Sequence, residues 1–234
     1  MRILASFVIL AALAMGSNAN AMSYGLVSFQ DGSTAILAQG QIGREEHARF
    51  LAAMQAAQAR GASPRTLIIS SQGGVLESAL EMGVTLRQLG MQTIVGSIAQ
   101  APDGQRALAA GGCHSACVMV FMAGVERSVL PGGRVGVHSP QVVVFSQGRG
   151  YRLDESTNRA LVQRSEPALR SYARAMGVSP GLIGVANSVP HTSIRTLSST
   201  ELSRYRLVTS GPTQRTTQKA DKRAFATRQK RRAS

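Results

Sequence analysis

The chain has 234 residues, a formal net charge of +14 and no tryptophan. That length supports one substantial core, and with so few aromatics it has to be built from small residues and Val, Ile and Leu, a composition suited to tightly packed helices on a sheet. The four histidines show no metal-ligand spacing, so neither a metal nor another cofactor is implied.

The N-terminus reads as a targeting signal. Arg2 precedes an apolar stretch from Ile3 to Met15, broken only by Ser6, and Ala19-Asn20-Ala21 is a small-residue cleavage site. The apolar run is shorter than the roughly 18 to 20 residues that span a bilayer. Residues 1–21 are therefore expected to be a cleaved signal peptide, followed by a single domain over residues 22–211, with the product periplasmic or secreted. No later segment is long and apolar enough to cross a membrane.

Strands are expected at Tyr24 to Phe29 and Ala35 to Gln39, turning at Asp31-Gly32. A helix follows over about Arg44 to Ala59, with Phe50, Leu51 and Met54 on one face. Thr66 to Ser70 is a buried strand, leading through Ser71-Gln72-Gly73-Gly74 into a helix from Leu76 to Leu89, and Met91 to Gly96 is the next strand. Ile98 to Ala110 is a polar, small-residue insertion with a turn at Pro102-Asp103-Gly104. An apolar helix runs from the Ser115 region to Gly124, and a strand covers Arg134 to His138. Gln141 to Tyr151 reads as a hairpin or exposed loop. A long amphipathic helix over Leu153 to Met176 should be kinked or interrupted at Pro167. A capped short helix begins at Leu197-Ser198, and Arg206 to Thr209 is a final short strand. This alternation argues for an α/β fold with a largely parallel sheet.

The chemistry centres on Gly111-Gly112-Cys113-His114-Ser115-Ala116-Cys117. A serine at the start of a buried helix can become a nucleophile, and the helix N-terminus stabilises negative charge developing beside it. His138, at the end of the following strand, is the candidate base. The glycine turn at Gly73 and Gly74 allows close backbone approach to a ligand. As a phosphate loop it lacks the full Walker pattern and a lysine. As an oxyanion hole it needs only backbone amides, and those of Gly74 and Ala116 are the natural pair. A tight turn without a ligand is the remaining reading. His114, next to the serine, points elsewhere on the helix and reads as structural. Cys113 and Cys117 are the only cysteines, and their i, i+4 spacing would place the Cα atoms roughly 6 Å apart, within disulfide reach. They could equally be two small residues packing the turn. Arg127 and Arg134 flank apolar segments as surface or interface arginines.

Taken in order, Ser71-Gln72-Gly73-Gly74-Val75, Cys113-His114-Ser115-Ala116-Cys117, Phe121-Met122-Ala123-Gly124 and Leu130-Pro131-Gly132-Gly133-Arg134-Val135-Gly136-Val137-His138-Ser139-Pro140 resemble the Clp protease proteolytic subunit (ClpP) and the wider ClpP/crotonase superfamily, most closely its exported ClpP-like branch. The closing stretch from Leu197 to Val208 is similar too, so the resemblance spans about Ala35 to Thr209. It implies a single-domain spiral of β-β-α units around a largely parallel sheet. It also implies a serine hydrolase, by expectation a peptidase, with Ser115 as nucleophile, His138 as general base and an oxyanion hole from Gly73, Gly74 and Ala116. A peptide or protein substrate and a homo-oligomer are implied with it. Relatives that use a lysine base are excluded as a template, because every lysine (Lys219, Lys222 and Lys230) lies in the C-terminal tail.

Two departures stand out. The family's catalytic aspartate should lie just before the closing segment, where this chain reads Asn187-Ser188-Val189-Pro190-His191-Thr192-Ser193-Ile194-Arg195 with no carboxylate. Asp154, Glu155 and Glu166 are the stand-ins on the long helix, and His191 is a loop histidine near the same region. The insertion from Ala99 to Ala110 is also longer than the protease carries before its serine, and could cover the site as a lid or alter assembly. The alternative function is then a catalytically impaired scaffold that binds peptide or protein partners.

From Thr213 onward eight lysines and arginines face Asp221 alone, half of the net charge of the whole chain. Residues 212–234 are expected to be a disordered basic tail that contacts anionic lipid or cell-wall polymer. Nucleic acid is disfavoured as a partner, since the chain is read as exported and the tail carries a single aromatic, Phe225.

Overall fold

A computed structural model of the chain describes residues 21–29, 31–100, 106–146 and 149–209. The signal peptide, the basic tail and the Pro102-Asp103-Gly104 turn expected from the sequence lie essentially outside these residues. The strands are β1 (Ser23–Ser28), β2 (Thr34–Gln39), β3 (Thr66–Ser70), β4 (Gln92–Val95), β5 (Ser97–Gln100), β6 (Arg106–Ala109), β7 (Gly112–His114), β8 (Arg127–Val129), β9 (Arg134–Val137), β10 (Val143–Ser146), β11 (Arg149–Arg152) and β12 (Arg195–Thr196). The helices are α1 (Glu46–Gln58), α2 (Leu76–Gln88), α3 (Cys117–Met122), α4 (Glu155–Ala175), α5 (Gly181–Asn187) and α6 (Ser199–Arg204).

The main sheet runs β1-β2-β3-β4-β8. β2, β3, β4 and β8 are parallel, and β1 closes one edge antiparallel to β2. The central strand β3 has Leu67, Ile68 and Ile69 fully buried, the continuous apolar reading expected where both faces of a parallel sheet are covered. A smaller sheet, β12-β9-β7, pairs β7 parallel to β9 and β12 antiparallel to it. The two sheets meet at the end of β3. There the Ser71 amide donates to the Gly112 carbonyl at 2.7 Å and the His114 amide to the Ser71 carbonyl at 3.0 Å. This seam sets the glycine turn after β3 beside the serine after β7.

Every residue of α3 from Cys117 to Met122 is buried. A helix apolar on all sides belongs at the centre of the fold, and fully burying a side chain such as Phe121 contributes roughly 1.5–3 kcal/mol. Beside it, Arg127 is only 3 % exposed. Its guanidinium donates to the carbonyls of Gly124 (2.6 Å), Leu207 (3.1 Å), Arg206 (2.9 Å) and Met176 (3.3 Å). Arg87 shares the Gly124 and Met176 carbonyls at 3.2 and 2.8 Å. These acceptors lie at or just beyond the C-terminal ends of α3, α4 and α6, where helix dipoles favour a cation. Burial pulls the Arg127 pKa down to about 10, with Arg87 and Arg206 adding to it. The expectation of a surface or interface arginine is thus corrected for Arg127, while Arg134 is exposed.

Most elements form where the sequence places them. α4 runs unbroken through Pro167, so the expected interruption does not occur. The expected strand over Arg206 to Thr209 is also absent. Arg206 turns the chain at a φ of 53°, and Thr209 meets Arg127 through single backbone and hydroxyl bonds at 3.0 and 2.7 Å rather than a ladder. The insertion before β7 forms an antiparallel hairpin, β5-β6. Ser198 caps α6 with Glu201 in a capping box, as the Leu197-Ser198 signal indicated. Among the described residues no helix is long and apolar enough to cross a membrane.

Candidate active site

Ser115 sits in the turn between β7 and α3, ahead of the N-cap Ala116, rather than at the helix start itself. Its φ is +56°, a left-handed conformation that costs an L-residue roughly 1–2 kcal/mol. Such strain persists only where the surroundings over-determine it, and here they do. The Ser115 amide donates to the Gly136 carbonyl at 2.9 Å, and its carbonyl accepts from the Val118 amide at 3.0 Å. Cys113 and Cys117 are joined by a disulfide with a Cα–Cα distance of 5.3 Å. Both half-cystines are fully buried, so the turn is bracketed covalently inside the core.

The glycine turn packs against the same point. Gly73 and Gly74 have φ of +96° and +142°. The Gly73 carbonyl accepts from Ile42 at 2.8 Å, and the Ile42 carbonyl accepts from Val75 at 2.9 Å. The Gly73 amide donates to the Ser71 hydroxyl at 3.0 Å. That amide therefore serves the turn, and the role of Gly73 at the site is its missing side chain. Ser71 is 3 % exposed, and nothing in the local sequence distinguished it from any other serine before a glycine turn. The amides of Gly74 and Ala116 make no hydrogen bond to another described residue. Both residues line the cavity on which Ser115 opens.

That cavity has a volume of about 910 Å³ and also includes His138 in its wall. Its apolar lining includes Met119, Val137, Leu169, Ile183 and Ala186, and its polar groups include Gln72, Glu77, Glu81 and Asn187. Ser115, His138, Gly74 and Ala116, separated in sequence, are thus brought to one surface. No residue of the β5-β6 hairpin between Ser97 and Ala99 or between Ala107 and Ala109 lines it.

His138 is half-buried, and its Nδ1 lies 2.8 Å from the carbonyl of Ser139. A carbonyl only accepts, so Nδ1 carries the proton and Nε2 is left as the basic nitrogen. Among the described residues no hydrogen bond joins His138 to Ser115. The stretch where a carboxylate was sought does run past His138, since the Ser139 amide donates to the Val189 carbonyl at 2.9 Å. Among the described residues, no side chain of that stretch hydrogen-bonds His138. The three stand-in carboxylates are engaged elsewhere. Asp154 caps α4, accepting from the Thr157 amide at 3.0 Å, and the Ser156 and Thr157 bonds hold it well below the ordinary carboxylate range. Glu155 pairs with Arg159 at 3.3 Å and lies 4.0 Å from His191. Glu166 is bound by Asn187 at 2.9 Å and Arg170 at 2.6 Å, which lower its pKa in that order.

His114 is not in the cavity lining, though its partner Gln72 is. Its Nδ1 bonds Gln72 Oε1 at 2.8 Å, and its ring packs on Gly136. Burial lowers its pKa first, with Arg134 and His138 adding to it. Among the described residues no group of three or more His, Cys, Asp or Glu gathers to hold a metal.

No protein-family model matches the chain, and no curated protein matches it. Solved structures do. A mutant of the 1510-N membrane-bound stomatin-specific protease in complex with a substrate peptide superposes with a TM-score of 0.51 at 14% identity, over 74% of this chain and 71% of that one. A second mutant of that protease gives 0.50 at 15% identity, over 74% and 75%. ClpP1 from Listeria monocytogenes gives 0.49 at 20% identity, over 74% and 86%. The fold is the one seen in the stomatin-specific protease.

Proposed function

We propose that this chain, built on the ClpP-like protease fold, is an exported serine hydrolase acting on peptides. The reading rests on one observation: Ser115 is held in a strained turn on the wall of a cavity that also presents His138 and the unengaged amides of Gly74 and Ala116. The Ser115 hydroxyl attacks a scissile carbonyl, and His138 Nε2 takes its proton. The oxyanion of the tetrahedral intermediate lies against the Gly74 and Ala116 amides, each such donor contributing about 3 kcal/mol. Collapse breaks the bond to the leaving amine, which takes the proton back from His138, and water then hydrolyses the acyl-Ser115 ester with His138 again as base. The Ser139 carbonyl orients the imidazole as a carboxylate would, but without a full charge to stabilise the imidazolium, so turnover is slow. Met119, Val137, Leu169, Ile183 and Ala186 favour a substrate whose acyl side chain is apolar.

Export rests on the N-terminal signal and agrees with a cysteine pair oxidised to a disulfide. The exposed cross-strand pair Val144 and Tyr151 of β10-β11 presents an apolar surface that supports self-association. The basic tail is read as the contact to anionic lipid or wall polymer. The test is hydrolysis of fluorogenic peptide amides and esters with apolar acyl side chains by wild type and Ser115→Ala. Hydrolysis that Ser115→Ala abolishes, with an acyl adduct on Ser115 in intact-mass spectra, is expected. Peptide binding in the cavity with no hydrolysis would instead make the chain a scaffold.

A further inference from the structure

The Ser139 carbonyl that receives the His138 Nδ1 proton belongs to the Ser139-Pro140 peptide, and that unit is pinned on both sides. On one side the Ser139 amide donates to the Val189 carbonyl at 2.9 Å. On the other, Asn158 reaches across from α4. Its Nδ2 donates to the Pro140 carbonyl at 3.2 Å, and its Oδ1 accepts from the Val142 amide at 2.7 Å and from Gln141 Nε2 at 3.5 Å.

Asn158 is 3 % exposed and lies on the buried stripe of α4 with Val162, Leu169 and Ala173. An apolar residue there would pack without the desolvation cost of a carboxamide. The cost is met because the amide group answers two backbone groups of an irregular segment that has no ladder of its own. Pro140 has a fixed φ, so holding its carbonyl and the amide of Ser139 leaves the peptide plane between them little freedom.

We propose that Asn158 is the positioning residue for His138: by clamping Pro140 and Val142 it aims the Ser139 carbonyl at Nδ1 and keeps Nε2 unprotonated toward the cavity. This rests on reading His138 as the general base. The orienting work of a triad carboxylate is then divided between a backbone carbonyl and a buried amide on a helix, neither of them in the stretch where the carboxylate was sought.

The ring nitrogens of His138 report this directly. In ¹⁵N-labelled protein above the imidazole titration range, wild type is expected to show the Nδ1–H tautomer. Asn158→Ala removes all three bonds, and Asn158→Asp keeps an acceptor for Val142 but cannot donate to Pro140. Both are expected to shift His138 toward the Nε2–H tautomer and to slow fluorophosphonate labelling of Ser115 about 10- to 100-fold. Wild type in the Nε2–H form overturns the proposal. So does a folded variant with unchanged ring shifts and labelling rate. Loss of folding in both variants assigns Asn158 to the fold alone and overturns it equally. If wild type is never labelled, Ser115 fails as the nucleophile, yet the tautomer measurement still decides the role of Asn158.

Discussion

Gly73 and Ser115 are in direct contact: a methyl group built on Gly73 would sit 2.8 Å from the Ser115 Cβ and 3.0 Å from the Ala116 nitrogen. With a φ of +96° as well, Gly73→Ala is strained in its own backbone and against the serine turn. A loss of about 2–3 kcal/mol is expected from the strain and the clash together, read as a lower urea midpoint, with labelling of Ser115 abolished. Gly25→Ala, at a strand position with nothing within 4 Å of the added carbon, should leave labelling unchanged.

The disulfide across the same turn gives a second expectation. Closing so short a loop removes only modest chain entropy, about 2 kcal/mol in the loop-entropy account. The Cys113→Ala/Cys117→Ala protein should therefore still fold, with a lower melting temperature, and react more slowly at Ser115 because the strained turn has lost one restraint. Maleimide labelling of wild type, unfolded without reductant, should find no free thiol. Two reactive thiols would contradict the bond.

Arg127→Met would leave the Leu207 and Arg206 carbonyls without their guanidinium donor, and Gly124 and Met176 with Arg87 alone. About 3 kcal/mol or more of lost stability is expected, since each buried unsatisfied acceptor costs on the order of 1–3 kcal/mol. Chemical denaturation measures it. A midpoint unchanged from wild type would show that the buried guanidinium contributes nothing net.

His114 makes stability depend on pH. Its folded pKa lies below its ordinary value of 6.5, through burial first and then Arg134 and His138. The unfolded chain therefore binds the proton more readily than the folded one. This contribution is fully present above about pH 6.5 and is lost as pH falls from there through the lower folded value. His114→Gln removes it, so the melting temperature of the variant should fall less than that of wild type between neutral and mildly acidic pH. Parallel curves would contradict the assignment.

The fold was largely legible because its signals are local. The buried run Leu67-Ile68-Ile69, the all-apolar α3 and the Ser198/Glu201 capping box each declare an element within a few residues. The missing strand at Arg206 to Thr209 shows the limit. Leu207 is buried, but its carbonyl and that of Arg206 accept from the Arg127 guanidinium rather than from a neighbouring strand. Pro167 did not break α4, whose amphipathic packing on either side carries the helix through. At the site, the positions of Ser115, His138, Gly74 and Ala116 could be read from motifs in sequence order. The support of His138 could not. The Ser139 carbonyl has no side-chain signature, and Asn158, an ordinary polar residue in the first turns of α4, acquires its role only when α4 packs beside the loop after β9.

The most direct test of the central claim is active-site labelling. Wild-type protein lacking residues 1–21 is treated with a fluorophosphonate and the adduct located by peptide mass spectrometry. A single adduct on Ser115 is expected, absent in Ser115→Ala and strongly slowed in His138→Ala. No adduct on folded wild-type protein, or labelling that survives in Ser115→Ala, would contradict it.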